Sequence, residues 1–401
     1  MRIKSTPRQA DLGAVTYKLN GRKLARFIDL LLERKSKYPK RHLSMYICKA
    51  ISCPNERSFK RALEAVRERI HDPQVQSLPS IRTVHRCLQE IDIKAIQEKM
   101  NDSLKKVFKV VSHHLTKFSL HVSIDVIEVH YYGKSNLDDT NVGRWDHGTN
   151  RYFAIMVATV VHPGRPLPLV MIPLLGRNES EVALEMLSRL HEMLSWRKIK
   201  KVVVLADGRY YTEKFLEAVD ALGWKLVIRA PNRTKQQAKM IKMAKKALNG
   251  ETSAGKDAII TEVDGTPTAI VQFSRHAKKG NKGMRGRYIG AVTGDGSGRW
   301  VVTNDWKSST IQVVKTYKRR FRIENFFRES RQLVKVTSAR STSERLLLAM
   351  LAMLAWGVAE YFLVVKLGKK ALARWQWMPA PPRWRSWPLA DQVLDKPPPR
   401  A

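Results

Sequence analysis

Residues 317–331 read YKRRFRIENFFRESR, which sets Tyr317, Arg320, Glu324 and Arg331 three, seven and fourteen positions along from the first. At roughly 100° per residue, a helix brings these four side chains within an arc of about 60°, and Arg328 joins the same face. A lone carboxylate ringed by an aromatic and several cations suits a protein that must hold a metal and grip a phosphate backbone together. Two more carboxylates, Asp125 and Asp207, can complete such a site from upstream. Two strand carboxylates plus one from a later helix can bind two hard cations about 3.5 to 4 Å apart, the apparatus for in-line attack on a phosphodiester.

The elements that must position these groups are legible around them. Asp125 lies in SLHVSIDVIEVHYYG, where Leu120, Val122, Ile124 and Val126 alternate with other residues as in a strand. Asp207 follows the apolar run KVVVLA, typical of a buried strand, and the GRYYTE after it opens a helix. A carboxylate at the end of a central strand is held by rigid backbone and still faces the open edge of the sheet. Other readings stay open residue by residue. An Asp before Gly also serves as a turn or cap residue, and Glu324 alone suits a solvated helix position, whereas Asp125 inside an apolar run is costly without a partner. Glu128, Asp138, Asp139 and Asp146 compete for the metal roles, Glu128 foremost.

From Asp125 onward the pattern predicts strands near Tyr152 to Val161 and Leu167 to Ile172, a helix from Glu179 to Trp196, a strand at Val202 to Leu205, a helix from Glu213 to Leu222 and a strand at Leu226 to Ile228. This alternation implies an α/β fold, a mixed sheet with helices on its faces. An interruption then runs from Pro231 to Lys307. Its stretch HAKKGNKGMRGR carries Lys278, Lys279, Lys282, Arg285 and Arg287 among glycines and suits either a flexible phosphate clamp or a solvated hairpin. Arg299 to Asn304 reads as a strand returning toward the core. Trp300 or Trp306 can stack on a displaced base or fill the core.

The first 117 residues look helical, basic and separate from this core. Ser80 can cap a helix in which Ile81, Val84 and Leu88 form an apolar stripe while Arg82, Thr83 and Arg86 point away from it. With Glu56 to Ile70 as a supporting helix, this resembles the recognition element of a helix-turn-helix; an amphipathic helix in an ordinary bundle is the alternative.

Composition narrows the function classes. The chain has 401 residues, 43% of them hydrophobic, enough for two or three packed domains. Its 73 Lys and Arg against 36 Asp and Glu give a formal charge of +37, which attracts polyanions over the whole surface and makes nucleic acid the natural partner. Cys48, Cys53 and Cys87 form no paired motif, so neither a zinc site nor a disulfide framework is expected. The N-terminus lacks a secretory apolar core, and the apolar run from Leu346 is read as a core helix rather than a membrane span. The Pro, Trp and Arg-rich tail, 369–401, reads as an extended segment.

The order Asp125, Asp207, Glu324, with the last inside a Tyr-x2-Arg-x3-Glu-x6-Lys pattern, resembles the DDE transposases of prokaryotic insertion sequences. Tyr317, Arg320 and Glu324 match, and Arg331 stands where that family usually has Lys, keeping the charge but offering a fork instead of a point. The stretch behind Asp125, from His130 to Lys134, also resembles this group. The resemblance implies a ribonuclease-H-like core over 118–230 and 308–368, a β-rich insertion over 231–307, and an all-α DNA-binding region over 1–117. It implies catalytic and metal-binding roles for Asp125, Asp207 and Glu324, with two Mg²⁺ ions that Mn²⁺ can replace. Tyr317, Arg320, Arg328, Arg331, Arg82, Thr83, Arg86, Lys279 and Arg285 are expected to touch DNA. The activity implied is cleavage at element ends and strand transfer into target DNA by a homodimer on paired ends, in a prokaryotic cytoplasm, with no membrane and no small-molecule substrate. A DNA-binding protein without chemistry, or a ribonuclease-H-like nuclease or resolvase, are the alternatives.

Overall fold

The computed structural model describes residues 46–47, 50, 58–69, 79–115, 119–132, 139–146, 149–162, 166–231, 235–251, 258–263, 265–275, 286–294, 298–331, 334, 337 and 341–357. Lys278, Lys279, Lys282, Arg285, Asp138 and the tail 369–401 lie outside them. Among the described residues, 46, 47 and 50 are helical, and α1 (Phe59–Arg69), α2 (Ile81–Gln89) and α3 (Ile93–Leu115) follow. Then follow β1 (Leu120–His130), β2 (Asn141–Asp146), β3 (Thr149–His162), β4 (Leu167–Pro173), α4 (Glu179–Ser195), β5 (Val202–Ala206), α5 (Glu213–Ala221) and β6 (Lys225–Ala230). The remaining elements are α6 (Lys235–Leu248), β7 (Ala258–Val263), β8 (Thr266–Arg275), β9 (Gly286–Thr293), β10 (Gly298–Thr303), α7 (Thr310–Lys318), α8 (Phe321–Arg331) and α9 over 342–357.

The strands join in one open sheet in the order β2-β3-β1-β5-β6-β10-β9-β8-β7, with β4 also paired to β3. Only β1, β5 and β6 run parallel to one another; the other pairings are antiparallel. The three parallel strands sit in the middle, and the central one, β5, is apolar and buried at every residue, as a strand with neighbours on both sides and cover on both faces is. Among the described residues, strand β4 has no second strand beside it. Asn101 of α3 supplies the missing partners, donating to the Met171 carbonyl at 3.1 Å and accepting from its amide at 2.9 Å.

Every strand and helix expected between Asp125 and Ile228 is present, with ends within a few residues. Two findings depart from the expectations. Strand β2 and helix α6 had no clear signal in the sequence. As expected, the stretch from Arg299 returns toward the core: β10 pairs with β6, register Trp300↔Ala230 to Thr303↔Val227, so the strands after Pro231 prolong the central sheet. Trp300 is buried and packs edge-on against Phe273, so its ring fills the core and cannot stack on a base. Gly290 lies opposite it, and a Cβ there would come within 2.9 Å of the indole, so the glycine is what admits the ring.

The second departure matters most for the site. Residues 317–331 are not one helix: α7 ends at Lys318, and α8 begins at Phe321. Between them Arg320 and Ile323 donate backwards to Tyr317 and Arg320, three residues apart rather than four. The tightened turn serves two consecutive arginines with different partners, Arg319 meeting His121 at 3.1 Å while Arg320 is drawn to Asp125. The expected arc therefore does not hold as drawn.

The run from Leu346 folds as α9, buried along most of its length, with the Trp356 indole donating to the Pro166 carbonyl and its ring meeting Phe326 of α8. Among the described residues no helix is long and apolar enough to cross a membrane.

Candidate active site

Strands β1 and β5 are parallel and in register from Leu120↔Val202 to Ile124↔Ala206. One step further along, Asp125 and Asp207 come abreast on neighbouring chains, strand spacing setting their backbones about 5 Å apart. Asp125 is within β1, and its Oδ1 accepts from the Val126 amide at 2.9 Å. Asp207 ends β5 and opens a short 3₁₀ turn, Gly208–Tyr210, without using its side chain to cap it. Its Oδ1 is buried with no hydrogen-bond partner, and Arg229 Nη1 of β6 stands 3.9 Å away. The cap role that an Asp before Gly ordinarily has is thus not the one it plays here.

Glu324 enters from the first turn of α8 and is half-exposed, as a carboxylate favoured by the helix dipole there can be. Arg320, buried at the α7–α8 turn, joins it to β1: Nη1 donates to Asp125 Oδ2 at 3.1 Å and Nη2 to Glu324 Oε1 at 2.9 Å. The guanidinium also lies 4.8 Å from the Phe321 ring centroid and 5.8 Å from that of Tyr317, and its Nε has no partner. So Asp125, Asp207 and Glu324, far apart in sequence, line one locality, with an arginine fork between the first and the last.

Residues 117–357, more than half of the chain, match the family model described as "Transposase DDE domain". The chain belongs to the DDE transposase family. No curated protein matches it closely enough to add to this. Family membership makes DNA the partner of this transposase, in keeping with its charge of +37. The family generally uses a divalent metal. Among the described residues, no three His, Cys, Asp or Glu side chains are gathered closely enough to hold one ion together, because Arg320 stands between two of them. The donor set nevertheless fits a hard cation: all carboxylate oxygens, one of them, Asp207 Oδ1, buried and without a hydrogen.

Burial pushes the Asp125 carboxyl up to about 6; the Val126 amide and Arg320 oppose the rise and Asp207 adds to it. Because the folded value lies above the ordinary one of 3.8, the stability linked to this group is complete below about 3.8 and is lost as pH rises through about 6. The charged site is therefore held at the fold's expense, by up to about 3 kcal/mol at 1.36 kcal/mol per unit. Asp125→Asn in metal-free buffer is expected to melt higher than the unaltered transposase at pH 8 and at the same temperature below pH 4. Equal melting temperatures at pH 8 would contradict this.

A second polar group flanks Asp125. Arg209 Nη1 lies 3.4 Å from Glu179 Oε1 and 4.0 Å from Glu128 Oε1. Burial raises the Glu179 carboxyl, with Arg209 acting against it and Glu128 with it. Tyr210 is buried beside them, its hydroxyl without a hydrogen-bond partner, and burial with the charge of Asp125 holds its phenol well above the usual range. Tyr317 is buried too, and burial is the main cause of its raised phenol. Sequence reasoning named Glu128 as a rival ligand but missed Arg209, Arg229, Glu179 and Tyr210. The DGRYY turn after β5 carried a signal for Arg209 and Tyr210. Arg229 follows from the parallel pairing of β5 with β6, and nothing local marked Glu179.

The other expected DNA contacts are spread out. Arg328 is exposed and bonded to Asn325 at 2.8 Å, while Arg331 reaches only the Glu128 carbonyl, at 3.5 Å. On α2, Ser80 caps the helix as expected, accepting from the Thr83 amide at 3.1 Å; Arg82 and Arg86 are exposed, and the Thr83 hydroxyl is bonded to Ser80. Asp139 bonds to Thr342, away from the other carboxylates' partners.

Helix α2 is anchored to α9. His85 Nδ1 lies 2.8 Å from Glu344 Oε1, which also accepts from Thr337 at 2.6 Å, and Glu344 is fully buried. Removing one partner of a buried polar pair leaves the others desolvated. Glu344→Ala is expected to lower stability by about 3 kcal/mol in urea denaturation, with Glu344→Gln losing less because it keeps an acceptor. No change in either variant would mean that apolar contacts alone dock α2.

Proposed function

We propose that this transposase cleaves DNA at the ends of its element and joins the freed 3′-hydroxyl to target DNA, using Asp125, Asp207 and Glu324. The observation that carries the reading is the place of Asp125 and Asp207 side by side, one step beyond the last paired residues of parallel β1 and β5, with Glu324 tied to Asp125 through Arg320. Asp125 and Asp207 would hold Mg²⁺ between them, and Glu324 would complete a second position; Mn²⁺ suits the same oxygens. Two such ions, when bound, activate the attacking oxygen and stabilise the leaving one. The chain supplies the rest. Tyr317, Arg328 and Arg331 would position the backbone of the cut strand, and the unpaired Nε of Arg320 is left for a phosphate oxygen.

The element order supports a ribonuclease-H-like core over 118–230 and 308–368, with 231–307 as its insertion, 369–401 as a tail and 1–117 as the DNA-reading region. In that region Arg82 and Arg86 on α2, with Thr83, would face the major groove, and Lys279 and Arg285 would clamp phosphates from the insertion. A homodimer pairing two ends, a prokaryotic insertion-sequence origin and a cytoplasmic, nucleoid-associated site complete the proposal. A second reading rests on Arg320: a chain whose carboxylates stay paired to it would bind DNA without cutting.

The test is to incubate the protein, and separately Glu324→Gln, with labelled DNA carrying the element's ends, Mg²⁺ and a supercoiled target. Cut ends followed by joined products, both lost in the variant, are expected. Tight binding without cleavage under Mg²⁺ or Mn²⁺ would favour the second reading, and cutting without joining a nuclease.

A further inference from the structure

The far end of α4 carries a second cationic surface. Trp196, which ends the helix, is 45% exposed, unusual for so large an apolar ring. Lys105 Nζ, Lys109 Nζ and the Arg197 guanidinium lie 5.7, 5.6 and 5.0 Å from its ring centroid. Exposed Lys106, Lys198, Lys200 and Lys201 adjoin them in sequence. Among the described residues, Glu192 is the carboxylate paired with this group, meeting Lys105 at 3.4 Å. Cations crowded round one ring repel one another, and an anion laid across them relieves that repulsion.

The arrangement is fixed by the fold. Arg197 donates from Nε to the buried Ser112 Oγ at 2.6 Å and from Nη2 to the Lys109 carbonyl, locking the turn after α4 onto α3. Lys198 takes the left-handed conformation, φ 54°, at a helix end where glycine is the usual residue. Cations do favour helix C-termini, and two helices end here, but that accounts for neither the exposed indole nor a lysine at the glycine position.

The surface is remote from the carboxylates. Helix α4 starts at Glu179, beside Arg209, and its 17 residues span about 25 Å at 1.5 Å each. The Leu120 amide bonds to the Lys201 carbonyl where β1 and β5 begin, the opposite ends from Asp125 and Asp207. The groups of this surface therefore do not themselves touch the phosphate at the carboxylates.

We propose that this patch is a second DNA contact: Lys105, Lys109 and Arg197 hold the phosphate backbone of duplex DNA, and Trp196 packs on its sugars. The proposal needs DNA as partner but not the cutting chemistry. Binding of the full-length chain to a duplex several turns long, measured against salt, tests it. Lys105→Gln/Lys109→Gln is expected to lower the slope of log affinity on log salt by about 1.8, at about 0.9 per cation, and to weaken binding roughly tenfold at physiological salt. The same charge is removed from α6 in Lys242→Gln/Lys246→Gln, whose lysines are exposed elsewhere. An unchanged slope in the first variant, or an equal loss in both, would overturn the proposal in favour of diffuse attraction.

Discussion

Asp207→Asn is expected to reduce DNA cleavage by at least about a thousandfold while leaving the fold and DNA binding nearly unchanged, since removing a single charged participant from a phosphoryl-transfer site costs that order of rate. The separation of effects follows from how Asp207 is held. Its Oδ1 is buried yet bonded to nothing, it does not cap the 3₁₀ turn after it, and Arg229 at 3.9 Å is too far for a hydrogen bond. A group held by one long ion pair and no hydrogen bond at its buried oxygen leaves little behind when its charge is removed. Asn keeps the shape and one carbonyl oxygen but is a far weaker ligand for a hard cation. Cleavage rate, melting temperature and DNA affinity measured on one preparation separate the terms. A variant that cuts within tenfold of the unaltered rate would remove Asp207 from the chemistry.

Arg320→Ala is expected to abolish cleavage and also to destabilise the protein, by about 3 to 5 kcal/mol, the usual cost of breaking a buried ion pair from one side. Arg320 is itself buried and serves two carboxylates at 3.1 and 2.9 Å. Without it, Asp125 loses a charge that lowers its pKa, so its carboxyl moves further above about 6. Any cutting left in the variant should then need a higher pH than in the unaltered protein. Arg320→Lys should rescue little, because an ammonium is a point charge and cannot fork between two acceptors. Urea denaturation gives the stability term, and a pH–rate profile of Arg320→Gln, which removes the charge, gives the electrostatic one. A profile that moves to lower pH would contradict the account.

Much of this site was legible in the residues. Alternation around Asp125 and the apolar run before Asp207 marked two strands, and parallel strands need only adjacency to bring such residues abreast. What the sequence could not carry is which groups the third dimension adds. Arg229 sits on β6, and only the pairing of β5 with β6 brings it near Asp207. Glu179 opens α4, one residue after the Asn178 cap, and reads locally as a helix-start carboxylate. Helix spacing misled at one place: the offsets from Tyr317 to Arg331 fit one α-helical face, but a helical period cannot foretell a three-residue turn that buries Arg320. Arg299 to Asn304 read as a strand returning toward the core, but which strand it joins was not legible. Backbone pairing between β10 and β6 is non-local and leaves no periodic trace.

The proposed chemistry requires Asp125, Asp207 and Glu324 to hold divalent cations together on DNA. Titrating Mn²⁺ into the protein–DNA complex and following bound ion by electron paramagnetic resonance tests it most directly, without requiring turnover. Saturable binding that is lost in Asp207→Asn and weakened in Glu324→Gln is the result the account predicts. Binding that is absent from the unaltered complex, or unchanged in Asp207→Asn, would contradict it.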